Sequence, residues 1–282
     1  MNPFQKRLLP VLAAVAIALA PLCVSLHAAT ITPVASGLTA PPKTTLTNAG
    51  NLLVSEAGAG PNTGRLSLVD PATGSRRTLV DGLPSGVFSG EPSGPGGLLL
   101  RGRTLYLTIG VGDAVMSGPV AATTVPNPRP GSPLFACLLA FHFSADIERT
   151  TTALTLSPAD HAALKAGTRI TRDNGVGENV TIELFVDFPD YVAEPRPTLA
   201  DNVRGSNPFD LVALGERLFI ADASLNSIRT VDLNTRTVGT LTTFAPLPNT
   251  RRIGPPVSET VPDSIRVYGN QLLVTLLGGF PF

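Results

Sequence analysis

The chain has 282 residues, 27 of them Gly and 27 Pro, with 43% hydrophobic residues, 15% charged and no Trp. Glycine and proline together near a fifth of the chain, against a usual share of roughly 12%, exclude a helical bundle, whose helices cannot carry so many breakers, and a mean hydropathy of +0.23 excludes disorder. Twenty-one basic side chains balance 21 acidic ones, which leaves no electrostatic footprint for nucleic acid or an anionic membrane; what remains is a turn-rich all-β protein.

Residues 1–28 read as a secretory leader. Lys6 and Arg7 form the basic start, 8–26 is almost wholly apolar, and Ala28 and Ala29 are the small residues at its end. Pro10 and Pro21 interrupt a run that is already short for a spanning helix of about 20 residues. The expectation is a cleaved leader, a secreted or periplasmic protein, and no stable membrane insertion afterwards. Removing Lys6 and Arg7 takes the balance from zero to −2. Cys137 is then the one cysteine left, in the apolar run 134–139, so it is read as a buried small hydrophobe with no partner for a disulfide or a cysteine metal site.

Beyond the leader a repeat emerges from spacing. Pro42, Pro95, Pro208 and Pro262 are each followed ten residues later by Leu52, Leu105, Leu218 and Leu272, with Gly50, Gly102, Gly215 and Gly269 between. Each unit predicts a β-hairpin: proline is tolerated at a strand's first residue, glycine supplies the left-handed turn, and the second strand is apolar on both faces. After the first unit, 65–70 and 77–80 read as two further strands, and after the third, 227–232 and 237–241 do. Four antiparallel strands per unit, repeated radially, describe a β-propeller blade. The units fall at about 42–81, 95–188 with insertions, 208–243 and 262–282.

The long spacing in the second unit is assigned to insertions: a Gly/Pro-rich loop at 109–133 and a segment at 144–179. In the latter, Ser157, Pro158, Asp160 and Gly167 have the punctuation of a short helix. The segment 30–38 is expected to add an outer strand to the last blade and so hide its edge, because 34–38 resembles 80–83. The last unit has room for only two strands, which reads either as a three-stranded last blade in a small ring or, the preferred reading, as a C-terminally truncated form of a longer protein.

The run Phe219-Ile220-Ala221-Asp222, followed by Asn226 and Ile228, looks like an NHL-type repeat. More narrowly, 34–38, 53–58, 206–211, 218–222 and 261–265 resemble the ScyD/ScyE family of secreted proteins associated with biosynthesis of the pigment scytonemin. The resemblance implies a six-bladed TolB-like propeller in the full-length form and points to no particular activity. Where the family often carries a polar residue or His after the blade-opening Gly-Pro, this chain has Gly94-Pro95-Gly96-Gly97.

Glu56, Asn207, Asp210, Asp222 and Asp263 flank the ends of the inner strands, at the expected mouth of the ring, and Glu91 precedes one of the prolines. Carboxylates and an amide converging there could hold Ca²⁺ through oxygen, and such a cation could act as a Lewis acid for lactone or ester hydrolysis, as in the gluconolactonase group of six-bladed propellers. Glu56 and Asp222 stand fourteen residues after their prolines, but Ile109 and Leu276 hold that place in the other units, so the repeat itself builds no metal ring. Asp222 and Asn226 are read first as turn residues that satisfy backbone groups. No Gly-x-Ser-x-Gly elbow or phosphate loop occurs. The preferred function is an exported propeller that binds a protein or small-molecule ligand, without catalytic residues or an obligate oligomer. The alternative is a metal-assisted lactonase or esterase.

Overall fold

All four proline-to-leucine units fold as antiparallel hairpins in the computed structural model, which describes residues 32–250 and 256–278; the leader lies outside these residues. Gly50, Gly102, Gly215 and Gly269 take φ between 59° and 85°, the left-handed turn that a side chain would resist. Pro95, Pro208 and Pro262 each pair across the hairpin with the residue fourteen places on. A register shift follows each of these prolines within three residues.

The first sheet is a meander of β1 (Lys43–Leu46), β2 (Leu52–Glu56), β3 (Gly64–Val69) and β4 (Arg76–Leu83). A short hairpin, β5 (Gly86–Phe88) and β6 (Glu91–Ser93), leads to the second sheet. That sheet starts with β7 (Pro95–Arg101) and β8 (Thr104–Ile109) and resumes at β11 (Cys137–Phe143) after another small hairpin, β9 (Val115–Ser117) with β10 (Thr124–Pro126). Cys137 is fully buried there, and burial pushes its thiol pKa up.

The chain then leaves the second sheet, and this excursion ties two sheets together. β12 (Leu154–Thr155) adds in parallel to the edge of β4 in the first sheet, with Leu154 opposite Val80. Helix α1 (Pro158–Lys165) follows under a capping box between Ser157 and Asp160, with Pro158 at its first turn, and β13 (Ile170–Asp173) and β14 (Asn179–Asp187) return to the second sheet beside β11. His161 on α1 holds the excursion down: its Nε2 lies 2.9 Å from the Gly82 carbonyl and its Nδ1 3.1 Å from Ser132 Oγ. A side chain at Gly82 would stand 2.2 Å from the Leu156 carbonyl oxygen, which is why the strand edge carries glycine here. All strands between 95 and 188 that belong to a main sheet, β12 apart, are in this one sheet, so the long spacing holds one unit with an insertion.

A hairpin of β15 (Tyr191–Ala193) and β16 (Val203–Gly205) precedes the third sheet, a four-stranded meander of β17 (Pro208–Leu214), β18 (Arg217–Asp222), β19 (Ser227–Asp232) and β20 (Val238–Thr243). After β21 (Leu247–Pro248) with β22 (Val257–Ser258), the fourth sheet has two strands among the described residues, β23 (Thr260–Tyr268) and β24 (Gln271–Gly278). The expected closing strand at 30–38 is not formed over 34–38. That stretch lies against the first sheet instead: Arg76 donates to the Gly37 carbonyl and the Ala57 N–H to the Ala40 carbonyl.

The sheets pack face to face in sequence order, because successive side chains of a strand point to opposite faces. On β8, Leu105 and Leu107 face the first sheet's Leu53, Leu66 and Leu79, while Tyr106 between them faces the third sheet's Leu218 and Ile220. On β18, Leu218 and Ile220 face back to the second sheet, while Phe219 and Ala221 meet Ile265, Leu272 and Val274 of the fourth. A fully buried Leu contributes about 1.5–3 kcal/mol, so these two-faced second strands carry much of the stability. The chain is all-β apart from α1 and one 3₁₀ turn at Ile147–Arg149 among the described residues, and no described helix is long and apolar enough to cross a membrane.

Candidate functional site

The four small hairpins, β5–β6, β9–β10, β15–β16 and β21–β22, gather at one end of the main sheets and wall a cleft of about 720 Å³. Its bed is apolar, with Phe88, Val111, Val115, Val203 and Val261. A second hollow of about 410 Å³, lined by Pro42, Glu91, Pro95 and Phe209, shares Phe88, Val111, Asn207 and Ser224 with the first. The Gly/Pro-rich connections therefore build the cleft, while the regular strands hold it from below.

Two arginines and two glutamates form the polar wall. Arg204 bonds the Ser224 carbonyl, Glu194 at 3.3 Å and Glu259 at 3.0 Å. Arg196 donates to the Ala122 carbonyl at 2.7 Å and to Glu194 at 3.2 Å. Burial works to raise the Glu259 carboxyl, but hydrogen bonds from Arg204 and Asn226 outweigh it and hold its pKa below the ordinary value. Asn202 fixes the floor of this wall, accepting from the Thr124 N–H at 2.8 Å and donating to the Glu194 carbonyl at 2.8 Å. Charges in the wall cancel two against two and face one another, so the cleft offers no net charge to a ligand.

The five residues singled out from the sequence do not meet in this cleft. Asn207 alone among them lines it, and its Oδ1 accepts from the Val111 N–H at 3.2 Å. Glu56 and Asp222 are fully buried and do the same local work in two sheets. The Glu56 carboxylate accepts from the Thr39 N–H at 2.7 Å and from Ser67 Oγ, with Arg76 at 3.5 Å. Asp222 accepts from the Asn207 N–H at 2.9 Å, Ser206 Oγ at 2.8 Å and the Leu225 N–H at 3.1 Å, with Arg229 Nε at 2.8 Å. Each carboxylate thus ties the incoming loop to the rim of its sheet through backbone N–H, one serine and one arginine.

Asp210 is 3% exposed and binds the fourth sheet: Ser264 Oγ at 2.9 Å, the Ile265 N–H at 3.1 Å and Arg266 at 2.7 Å all reach its Oδ2. Lys43 of the first sheet lies between, 3.8 Å from Asp210 and 3.9 Å from Asp263, with its ammonium donating to the Asp263 carbonyl at 2.8 Å and over the Phe209 ring at 4.5 Å. Asn226 is the left-handed residue of the turn between β18 and β19, with φ at +51°, and its side chain donates to Glu259 in the cleft wall rather than satisfying the turn's backbone. Glu91 is exposed at the second hollow. No group of three or more His, Cys, Asp or Glu placed to hold a metal ion occurs among the described residues.

Gly96 and Gly97, at the place where a polar residue or His was looked for, have a steric reason. A side chain at Gly97 would come within 2.7 Å of the Asp210 Cα, so the close approach of β7 to β17 excludes one. The cleft residues of the polar wall escaped sequence reasoning because they lie outside the repeat; the signal that could have found them is the clustering of Glu194, Arg196, Asn202 and Arg204 in one Gly/Pro-rich connection.

No family model matches the chain, and no curated protein matches it. Among solved structures it aligns with an oxidoreductase described as a glucose dehydrogenase from Thermus thermophilus, at 15% identity over 86% of this chain and 92% of that one, with a TM-score of 0.24. The PQQ-bound aldose sugar dehydrogenase from Streptomyces coelicolor aligns at 14% identity over 87% and 90%, with a TM-score of 0.23. Likeness at these scores carries no argument about activity.

Proposed function

We propose that this chain is an exported binding protein of β-propeller type, related to the ScyD/ScyE family, whose cleft takes an uncharged, largely apolar small molecule. The observation that carries the reading is the cleft itself: its volume of about 720 Å³ is in the range of roughly 300–1,000 Å³ of small-molecule sites, its bed is apolar, and its charged wall is neutralised from within. The propeller reading is supported by four antiparallel hairpin units, three of them with the same register and the same shift after the opening proline, packed in sequence order. Export rests on the basic start, apolar run and small residues of 1–28, and sequencing the N-terminus of the exported protein checks it. The metal-assisted hydrolase gains no support, because Glu56, Asp210 and Asp222 are taken up by contacts between loops and strands.

Nile red, an uncharged apolar dye, provides the test. One dye per chain is expected to bind with a blue-shifted emission. A double variant Ala121→Trp/Ser224→Trp, which fills the cleft from two sides, should weaken binding at least tenfold while leaving the circular dichroism spectrum unchanged. Equal binding by this variant would refute the cleft as the site.

A further inference from the structure

Asn207 stands where the two hollows meet, lining both together with Phe88, Val111 and Ser224. Its place is fixed from several sides. Pro208 after it disfavours helical backbone at this position. The Asn207 N–H donates to Asp222 at 2.9 Å, its carbonyl accepts from the Ala223 N–H at 2.9 Å, and its side-chain Oδ1 accepts from the Val111 N–H at 3.2 Å. A side chain on Gly110 would stand 2.4 Å from that Oδ1, so glycine is what lets the amide lie against the chain where it leaves β8. Because an N–H claims Oδ1, the remaining amide atom is the donor Nδ2, and it has no hydrogen-bond partner among the described residues. The other polar groups of Asn207 are taken up by the protein, which leaves this pure donor at the junction of the hollows.

Its surroundings decide what can meet it. Phe88 and Val111 beside it are apolar, and the second hollow adds Ala57, Pro92 and Phe209. A ligand that covered Nδ2 without an acceptor would strip its water and leave a donor unpaired, which costs more than an average hydrogen bond contributes. An ammonium has only donors to offer it. A carboxylate would lose its hydration in a cleft whose two arginines already face glutamates. What fits is a neutral oxygen acceptor. Resting on the cleft as the ligand site, we infer that the ligand is an uncharged compound with a carbonyl oxygen between two apolar arms, the arms lying in the two hollows and the oxygen accepting from Asn207 Nδ2. Asn207 then sets specificity, because a site built to hydrogen-bond its ligand rejects the analogue that lacks the group, and Asp222 is a positioning residue that acts through it.

Fluorenone and fluorene share one shape and differ by a carbonyl in place of a methylene, and equilibrium dialysis measures the binding of each without a reporter dye. Asn207→Asp keeps an oxygen for the Val111 N–H and replaces the donor by an acceptor. The ratio of fluorenone to fluorene affinity is expected to fall about tenfold in this variant, since one hydrogen bond is lost and two acceptors are opposed. The infrared carbonyl stretch of fluorenone bound to the wild type should lie below its frequency in hexane and move back towards it in the variant. An unchanged affinity ratio overturns the inference. So does a wild-type stretch at the hexane frequency, a readout that stands even where Asn207→Asp fails to fold. Where both compounds bind, Ala121→Trp/Ser224→Trp weakens both and Asn207→Asp leaves the ratio alone, the cleft remains the site and the carbonyl is struck from its ligand. Where neither compound binds the wild type, the inference falls, and Nile red decides separately whether the cleft falls with it.

Discussion

At the scale of single residues, the carboxylates that looked like ligands act as fasteners. Asp222 is buried with four donors around it, one of them Arg229, whose side chain is 12% exposed and stacks on Phe188 at 4.9 Å. Removing one partner of such a pair leaves the other charge buried without compensation, which costs about 3–5 kcal/mol. Asp222→Ala is therefore expected to lower stability by about that amount in urea titration, whereas the double change Asp222→Asn/Arg229→Met should lose clearly less. Equal losses in the two variants would deny the pairing its role. The sequence showed that Glu56 and Asp222 hold equivalent positions, since both stand fourteen residues after a proline that opens a repeat unit. What it could not show was the direction of the carboxylates: the serine and the backbone N–H that claim them come from outside the hairpin, at Ser67 and Thr39 in one case and at Ser206 and Asn207 in the other.

Among the elements, the excursion between β11 and β14 has the most specific anchorage. Its helix was legible from local chemistry, a serine cap, a proline in the first turn and an acid at the third position, and α1 forms over Pro158–Lys165. Its destination was not legible, because a two-residue strand adding in parallel to a distant sheet has no periodic signature; only Gly82 in the receiving edge marks the place. His161 is the lock, fully buried and uncharged between the Gly82 carbonyl and Ser132 Oγ. Burial, against the weaker pull of the Gly82 carbonyl and of Asp160, lowers its pKa below the ordinary value. The unfolded chain therefore takes up the proton first as pH falls. The stability that depends on neutral His161 is complete above a pH of about 6.5, the ordinary histidine value, and drains away as acid titrates the unfolded state. The difference in unfolding free energy between wild type and His161→Gln is expected to shrink between about pH 7.5 and pH 5; a difference that stays constant over that interval would rule the lock out.

Over the whole molecule, the glycine and proline excess divides into two uses. A fixed set turns and opens the hairpins, and its spacing made the repeat, the antiparallel pairing and the all-β class readable. Many of the others lie in the connections between units, where they let short hairpins gather into the cleft, and no repeat predicted that gathering. The departures from the expected arrangement have a common origin in the ends of the sheets. Residues 34–38 lie against the first sheet instead of closing the last one, and β24 pairs with β23 alone among the described residues.

Among the described residues Lys43 joins the first strand, β1, to the fourth sheet through a hydrogen bond across 220 positions of sequence. Contacts of such separation carry the largest loop-closure cost and are made late, after each meander has formed from near neighbours. In kinetic terms this contact is expected to be a late seal, its interactions not yet made when the rate-limiting barrier is crossed. Lys43→Met should then leave the refolding rate within about twofold of wild type and raise the unfolding rate several-fold, a split that stopped-flow denaturant jumps resolve. The seal is thus a determinant of how long the folded state lasts rather than of how quickly it is reached.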